Sequence, residues 1–464
     1  MAKEKNRNID MITGDPKKAI VKLALPMMVS MLLIMLYNIA DSIWVAGLGA
    51  DALAAVGFIT PLFMVLVGLG NGIGAGANSL IARYIGADNI KQANNAGLHG
   101  ILLAVVVSVV FTIIIEVFMV QILEMMGAGN TIQYAMDYSY IIFGFLIVFV
   151  YSGVASAIFR SEGDMRRATI AIAVTAILNI ILDPIFIYVL NFGISGAAWA
   201  TVISATMSCI VMSYWIWGKK DLFLDLTPKN FSYSNQMIID NLQVAIPSTL
   251  ESLVFSILAI LINAMLVLAA DTTAVAVYTA SMRIVQMAMI PLIGLGTAVL
   301  TVCGVAYGAR NPENLKTAHS YSIKLGFAIS IALGALMFIF SPQIAAIFSY
   351  NDASAALSPQ IAAAISVLSL FVLAIPHGIM SSMMFQGVGK GTYSLLITLL
   401  RSLILETVFA YIFCFIFGWG LTGIYAGVVF GCFVGGTVGY IWAKIFIRRF
   451  TQISHNNHDP QKTG

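Results

Sequence analysis

Charged side chains are scarce in this chain. Only 10% of its 464 residues are Asp, Glu, Lys or Arg, against roughly a quarter in ordinary soluble proteins. That shortage excludes a soluble globular protein of this length, which would need far more polar surface. Cysteine is sparse too. The four thiols, Cys209, Cys303, Cys414 and Cys432, lie singly inside apolar segments without metal-ligand spacing and read as small buried hydrophobes. None of the five histidines (His99, His319, His377, His455, His458) forms a metal pair inside those segments, and an intramembrane enzyme is not expected. No strand-like alternation suggests a barrel. The glycine-rich run 68–76 has no preceding strand and no following Lys-Ser/Thr, so it reads as close helix packing, not a nucleotide loop.

What is present is apolar length. Hydrophobic residues make up 60% of the chain, and its mean hydropathy is +0.93. Apolar runs of about 20 residues recur, the length that crosses a bilayer core of about 30 Å. Helices of this kind satisfy their own backbone in lipid, so the expected fold is all-α and integral to the membrane. Twelve spans are predicted near 19–47, 52–82, 93–124, 131–159, 167–190, 194–217, 239–268, 274–306, 316–341, 358–386, 392–417 and 421–446. The first run is too long for a cleaved signal and lacks a small-residue cleavage site, so it reads as the first span. Pro26, Pro61, Pro184, Pro291 and Pro376 are candidate kink points.

Lysine and arginine orient these spans. They fall at Lys3, Lys5, Arg7, Lys17 and Lys18, then at Arg83 and Lys91, Arg160, Arg166 and Arg167. They return at Lys219, Lys220 and Lys229, at Arg310 and Lys316, at Lys390, and in the tail at Lys444, Arg448, Arg449 and Lys462. The alternate turns near Gly49, Gly127, Asn191, Asp271, Asp352 and Trp419 carry none. The positive-inside rule then puts both termini in the cytoplasm.

The two halves repeat. Gly86-Ala87-Asp88-Asn89 matches Gly308-Ala309-Arg310-Asn311, and Phe159 with Gly163 matches Phe385 with Gly389. Ile181-Leu182-Asp183 matches Ile404-Leu405-Glu406, and Phe192 to Gly196 matches Trp419 to Gly423. Offsets of 222 to 227 residues hold throughout. Each half has an even number of spans, so the expected architecture is two parallel six-helix lobes related by a pseudo-twofold axis along the membrane normal. The expected organisation is an N-terminal segment 1–18, an N-lobe 19–217, a linker 218–238, a C-lobe 239–447 and a tail 448–464. Two facing lobes with a central cavity are the basis of alternating access.

Ionisable groups inside spans are costly, about 3 kcal/mol or more each near the centre, and so informative. In the first half they are Asp41, Glu116, Asp137 and Asp183, with Glu124 near a span end. In the second they are Glu251, Arg283, Arg401 and Glu406, with Lys324 and His377 as secondary candidates. Asp183 lies about 24 Å from the cytoplasmic edge, with Asn179 one turn below. Thr201 and Tyr138 lie about 10 Å down from the outer side, and Asp41 sits beyond 20 residues into the first span. One polar cluster at this depth suits a proton shared by close carboxylates, or Na⁺ held by Asp41, Asn179, Asp183 and Thr201. Its alternative role is a hydrogen-bond network that only locks helices together. Glu116 and Glu124 read as structural. Glu251, near mid-membrane, either functions or forms an ion pair with Arg283, and Arg401 and Glu406 read as structural partners or interface groups. The 23 methionines lie mostly within spans, where any facing a cavity would form an adaptable apolar wall.

These residues resemble the multidrug and toxic compound extrusion (MATE) family, in its DinF-like bacterial and archaeal branch. The marks are Gly14-Asp15-Pro16 with Pro26, Tyr37 to Asp41, Ile81-Ala82-Arg83 with Gly86-Ala87, Arg160 to Asp164, and Asn179 to Pro184. The resemblance implies cation-coupled efflux of amphipathic, often cationic compounds, with a proton preferred to sodium as the coupling ion. It implies a coupling site of Asp41, Asp183, Asn179, Thr201 and Tyr138, and a bend at Pro26 when Asp41 is protonated. In another branch the tenth span carries an acid. Here the stretch Val372 to His377 has none, which puts a second-lobe cation site in question. No other cofactor and no nucleic-acid partner is expected, and a monomer contacting membrane lipids in a prokaryotic cytoplasmic membrane is. The rival reading is a flippase for lipids or lipid-linked oligosaccharides. A diphosphate-binding cavity would favour more intramembrane arginines than this chain offers.

Overall fold

A computed structural model describes residues 2–126, 129–219, 222–348 and 357–456. The expected turns near Gly127 and Asp352, together with Lys220, His458 and Lys462, lie outside these residues. Among the described residues all regular structure is helical. Ten helices are long and apolar enough to cross a membrane, and two bent pairs raise the number to twelve.

The helices of the first half are α1 (Ala2–Thr13), α2 (Pro16–Ala46), α3 (Ala50–Gly86), α4 (Ile90–Met125), α5 (Ile132–Gly144), α6 (Leu146–Ser161), α7 (Met165–Pro184) and α8 (Gly193–Ser213). Those of the second are α9 (Asn235–Ala269), α10 (Thr272–Gly308), α11 (Pro312–Ile339), α12 (Ser341–Phe348), α13 (Ser358–Ala374), α14 (Pro376–Gly387), α15 (Gly391–Thr398), α16 (Glu406–Tyr411) and α17 (Gly420–Asn456). The expected fourth span is the pair α5 and α6, bent by 47°, and the expected tenth is α13 and α14, bent by 41°. The second bend falls at Pro376, as its missing N–H requires. The first falls beside Gly144, where no proline marks it. Wide π turns close α7 at Ile185–Val189, after Pro184, and interrupt the eleventh span at Leu399–Leu405.

The repeat is written in the turns. Asp88 (φ 55°) and Arg310 (φ 50°) both adopt the left-handed region. Each is followed by an asparagine whose side chain accepts the amide three residues on, Gln92 at 3.2 Å and Asn314 at 3.0 Å. An N-cap of this kind satisfies one of the orphan donors at a helix start. Gly163 (φ 77°) and Gly389 (φ 79°) match in the same way.

The chain divides into two compact units, Met1–Asp15 with Leu25–Thr249, and Pro16–Ala24 with Leu250–Gly464. The division cuts α2 just before Pro26 and α9 just after Pro247, a proline inside α9 absent from the expected kink points. Segment 222–234, expected as linker, is strapped to the first unit. Asp225 N donates to Asn94 Oδ1 (3.0 Å), Ser232 N to Asn95 Oδ1 (3.0 Å), and Ser234 N to His99 Nε2 (3.1 Å).

Glycines set the packing of α17. Gly423, Gly427, Gly431, Gly435 and Gly439 recur every fourth residue, which puts them on one face. A methyl group on each would strike the eleventh span: Phe413, Ala410, Glu406, Arg401 and Ile397 in turn. The two backbones therefore touch from Gly423 to Gly435, as small residues permit in lipid.

Candidate cation-coupling site

In the first unit, α7 and α8 bring Asn179 between Asp183 and Thr201. The Asn179 amide donates to Asp183 Oδ1 and to Thr201 Oγ1, each at 3.2 Å. Asn179 and Asp183 share a helix face because they are four residues apart. Asp183 is fully buried, Asn179 nearly so, and Asp41 partly exposed. The Asp41 and Asp183 carboxyl groups neighbour one another. Tyr138 on α5 is buried beside both carboxylates. The structure thus gathers all five expected residues into one cluster. It adds Tyr37, which neighbours Asp41 and Tyr138. Its signal was present in the sequence, since Tyr37 stands one turn before Asp41 on the same face.

Three buried oxygens in this cluster have no hydrogen-bond donor among the described residues: Asp41 Oδ1, Asp183 Oδ2 and Asn179 Oδ1. All three accept hydrogen bonds and none donates. Orphaned buried acceptors are costly, by about 1–3 kcal/mol each, and a proton or hard cation supplies what they lack. The described residues contain no cluster of three or more His, Cys, Asp or Glu side chains suited to a metal ion.

Two clasps hold α2 against α7 on either side of the carboxylates. Thr169 Oγ1 lies 3.1 Å from the Pro26 carbonyl and 2.9 Å from Ser30 Oγ, which also reaches that carbonyl at 2.9 Å. Near the far end Tyr188 donates to the Trp44 carbonyl at 2.6 Å. Neither Ser30 nor Thr169 stands out in the sequence, because hydroxyls are common in spans.

In the second unit the expected Glu251–Arg283 pair does not form. Glu251 is bound by the Ser394 hydroxyl (2.6 Å) and by the Gln386 amide, 3.4 Å from each carboxylate oxygen. Arg283 is exposed on α10. The guanidinium whose charge acts on Glu251 belongs to Arg401. Arg401 also bonds Cys432 Sγ at 3.3 Å and lies within electrostatic reach of Glu406. His377, at the stretch without an acid, lies between Phe327 and Phe433 and bonds the Phe433 carbonyl and Thr437. Elsewhere Glu116 stands apart from the cluster, beside Gly144 at the bend.

Outside the spans, Glu162 caps the turn after α6 and accepts the amides of Phe223 (3.2 Å) and Leu224 (2.9 Å). Burial pushes its carboxyl up to about 7, against the two amides that favour its charged form.

A family model described as MatE matches residues 26–185 and again 247–412, one match in each half of the repeat. The chain belongs to the MATE family. A crystal structure of a MATE in the bent conformation superposes with a TM-score of 0.92 at 38% identity, over 97% of this chain and 99% of that one. The multidrug export protein MepA of Staphylococcus saprophyticus is 26% identical over 400 residues, 84% of this chain and 85% of its own. The FAD transporter of Shewanella oneidensis is 25% identical over 407 residues, 84% of this chain and 86% of its own. This MATE chain is therefore a multi-pass integral membrane transporter, and its family includes multidrug export proteins.

Proposed function

We propose that this protein is a proton-coupled antiporter that exports small amphipathic, often cationic compounds by alternating access. The observation that carries the reading is the trio of orphaned acceptors on Asp41, Asp183 and Asn179. Two neighbouring carboxylates repel one another, a cost that a shared proton or a bound Na⁺ relieves, and we read the proton as the coupling ion. Asp41 and Asp183 exchange the proton, Asn179 and Thr201 orient Asp183, and Tyr138 covers the pair. Protonation of Asp41 changes the contacts of α2 with α7, and Pro26, which lacks an N–H, is the place where α2 yields. The likeness to a MATE in a bent conformation supports that hinge. The transporter acts as a monomer in a prokaryotic cytoplasmic membrane, with both termini in the cytoplasm. Its lobes are 19–217 and 239–447.

The likeness to an FAD transporter supports a second substrate reading, an anionic dinucleotide. Sealed vesicles loaded with either a cationic dye or FAD, under a proton or a sodium gradient separately, test both. Dye efflux driven by protons alone, and abolished in Asp41→Asn and Asp183→Asn at normal expression, is the expected result. A sodium-only response keeps the site and changes the ion. Normal transport by both variants would sink the coupling proposal.

A further inference from the structure

Outside the coupling site, the second unit holds a pocket of about 250 Å³ lined by Lys17, Lys316, Thr317, Ser320, Tyr321 and Lys324. Its described lining is three amines and three hydroxyls with no carboxylate. Five of these residues come from one face of α11, at 316, 317, 320, 321 and 324, the spacing that stacks side chains over successive turns. Lys17 comes from the first turn of α2, which belongs to the same unit. Glu313 stands 3.8 Å from Lys316, and both are well exposed, so this pair neutralises little.

Amines and hydroxyls lining one small pocket favour an anion, by charge and by hydrogen bonds. The volume is below that of sites for drug-sized ligands. Position narrows the chemistry further. Lys316 lies about 6 Å and Lys324 about 18 Å along α11 from Pro312. A lysine that deep extends its stem along apolar surface to bring its amine back towards the interface. On the orientation proposed above, that interface is the cytoplasmic one, where basic pockets between spans meet anionic headgroups.

We propose that this pocket binds a phosphate group, supplied by the headgroup of an anionic membrane lipid, and that the bound phosphate ties the first turn of α2 to α11. The site is distinct from the carboxylate cluster and takes no part in proton exchange.

The test uses the full chain in phosphatidylcholine nanodiscs, with and without phosphatidylglycerol, and counts lipids retained by native mass spectrometry. Wild type should retain phosphatidylglycerol in preference to phosphatidylcholine. Lys316→Gln and Lys324→Gln should each weaken retention about fivefold, and Lys316→Arg and Lys324→Arg should restore it. Lys229→Gln, a basic residue outside the pocket, should leave it unchanged. Inorganic phosphate titrated into phosphatidylcholine nanodiscs separates the sources. Protection of the protein against heat by phosphate alone, with no preference for phosphatidylglycerol, would overturn the lipid as source. No preference for either anion, or equal loss in the Lys229 control, would overturn the site. Because the readout is lipid retention, failure of proton coupling leaves it intact. Lysine labelling from the cytoplasmic side of sealed vesicles checks the orientation on its own.

Discussion

Ser30 Oγ and Thr169 Oγ1 lie 2.9 Å apart, and both reach the carbonyl of Pro26. This places a side-chain clasp between α2 and α7 at the residue where α2 is least able to hold itself straight. Thr169→Val should remove the clasp while keeping the shape. We expect a stability loss of about 1 kcal/mol, the usual net worth of one hydrogen bond. We also expect slower proton-driven dye efflux, since α2 is then less firmly held on one side of its hinge. Thermal melting and vesicle efflux measured together check both, and Thr169→Ser should behave as wild type.

Thr201 accepts one of the two hydrogen bonds from Asn179, the other going to Asp183. Thr201→Val should loosen Asn179 and shift the pH dependence of efflux without lowering expression. Thr201→Ser should restore it. An unchanged pH profile in Thr201→Val would show that the Asn179 bridge does not orient Asp183.

Glu162 gives a pH dependence with a definite sign. Its carboxyl is raised from 4.5 in the unfolded chain to about 7 in the folded one, chiefly by burial, so the folded state binds more protons than the unfolded one between those values. The stability this supplies is fully present below about pH 4.5 and is lost as pH rises through about 7. The melting temperature should fall over that window in the wild type. In Glu162→Gln the window should disappear.

The glycine ladder of α17 is expected to be intolerant. In Gly431→Ala the new methyl group would fall 2.5 Å from Glu406 Cα, so a backbone must move. Overpacking of this kind costs about 1–3 kcal/mol. Gly57→Ala, where nothing lies within 4 Å, should be neutral or slightly stabilising. Equal melting temperatures for the two variants would contradict backbone contact between α17 and the eleventh span.

Chain length, hydropathy and the spacing of lysine and arginine determined the class of protein, the number of spans and the repeat, because lipid demands long apolar helices with satisfied backbones. Local spacing also placed Asn179 and Asp183 on one helix face, since four residues separate them. The bend beside Gly144 was not legible, because glycine is common in spans and most glycines leave a helix straight. Nor were the partners of Glu251. Ser394 and Gln386 lie 143 and 135 residues away in the chain, while Arg283 matched Glu251 only in being an ionisable group within a span. Depth along a helix follows from counting residues. Which faces meet depends on rotation about each helix axis and on close packing between distant segments, and only the tertiary structure decides that.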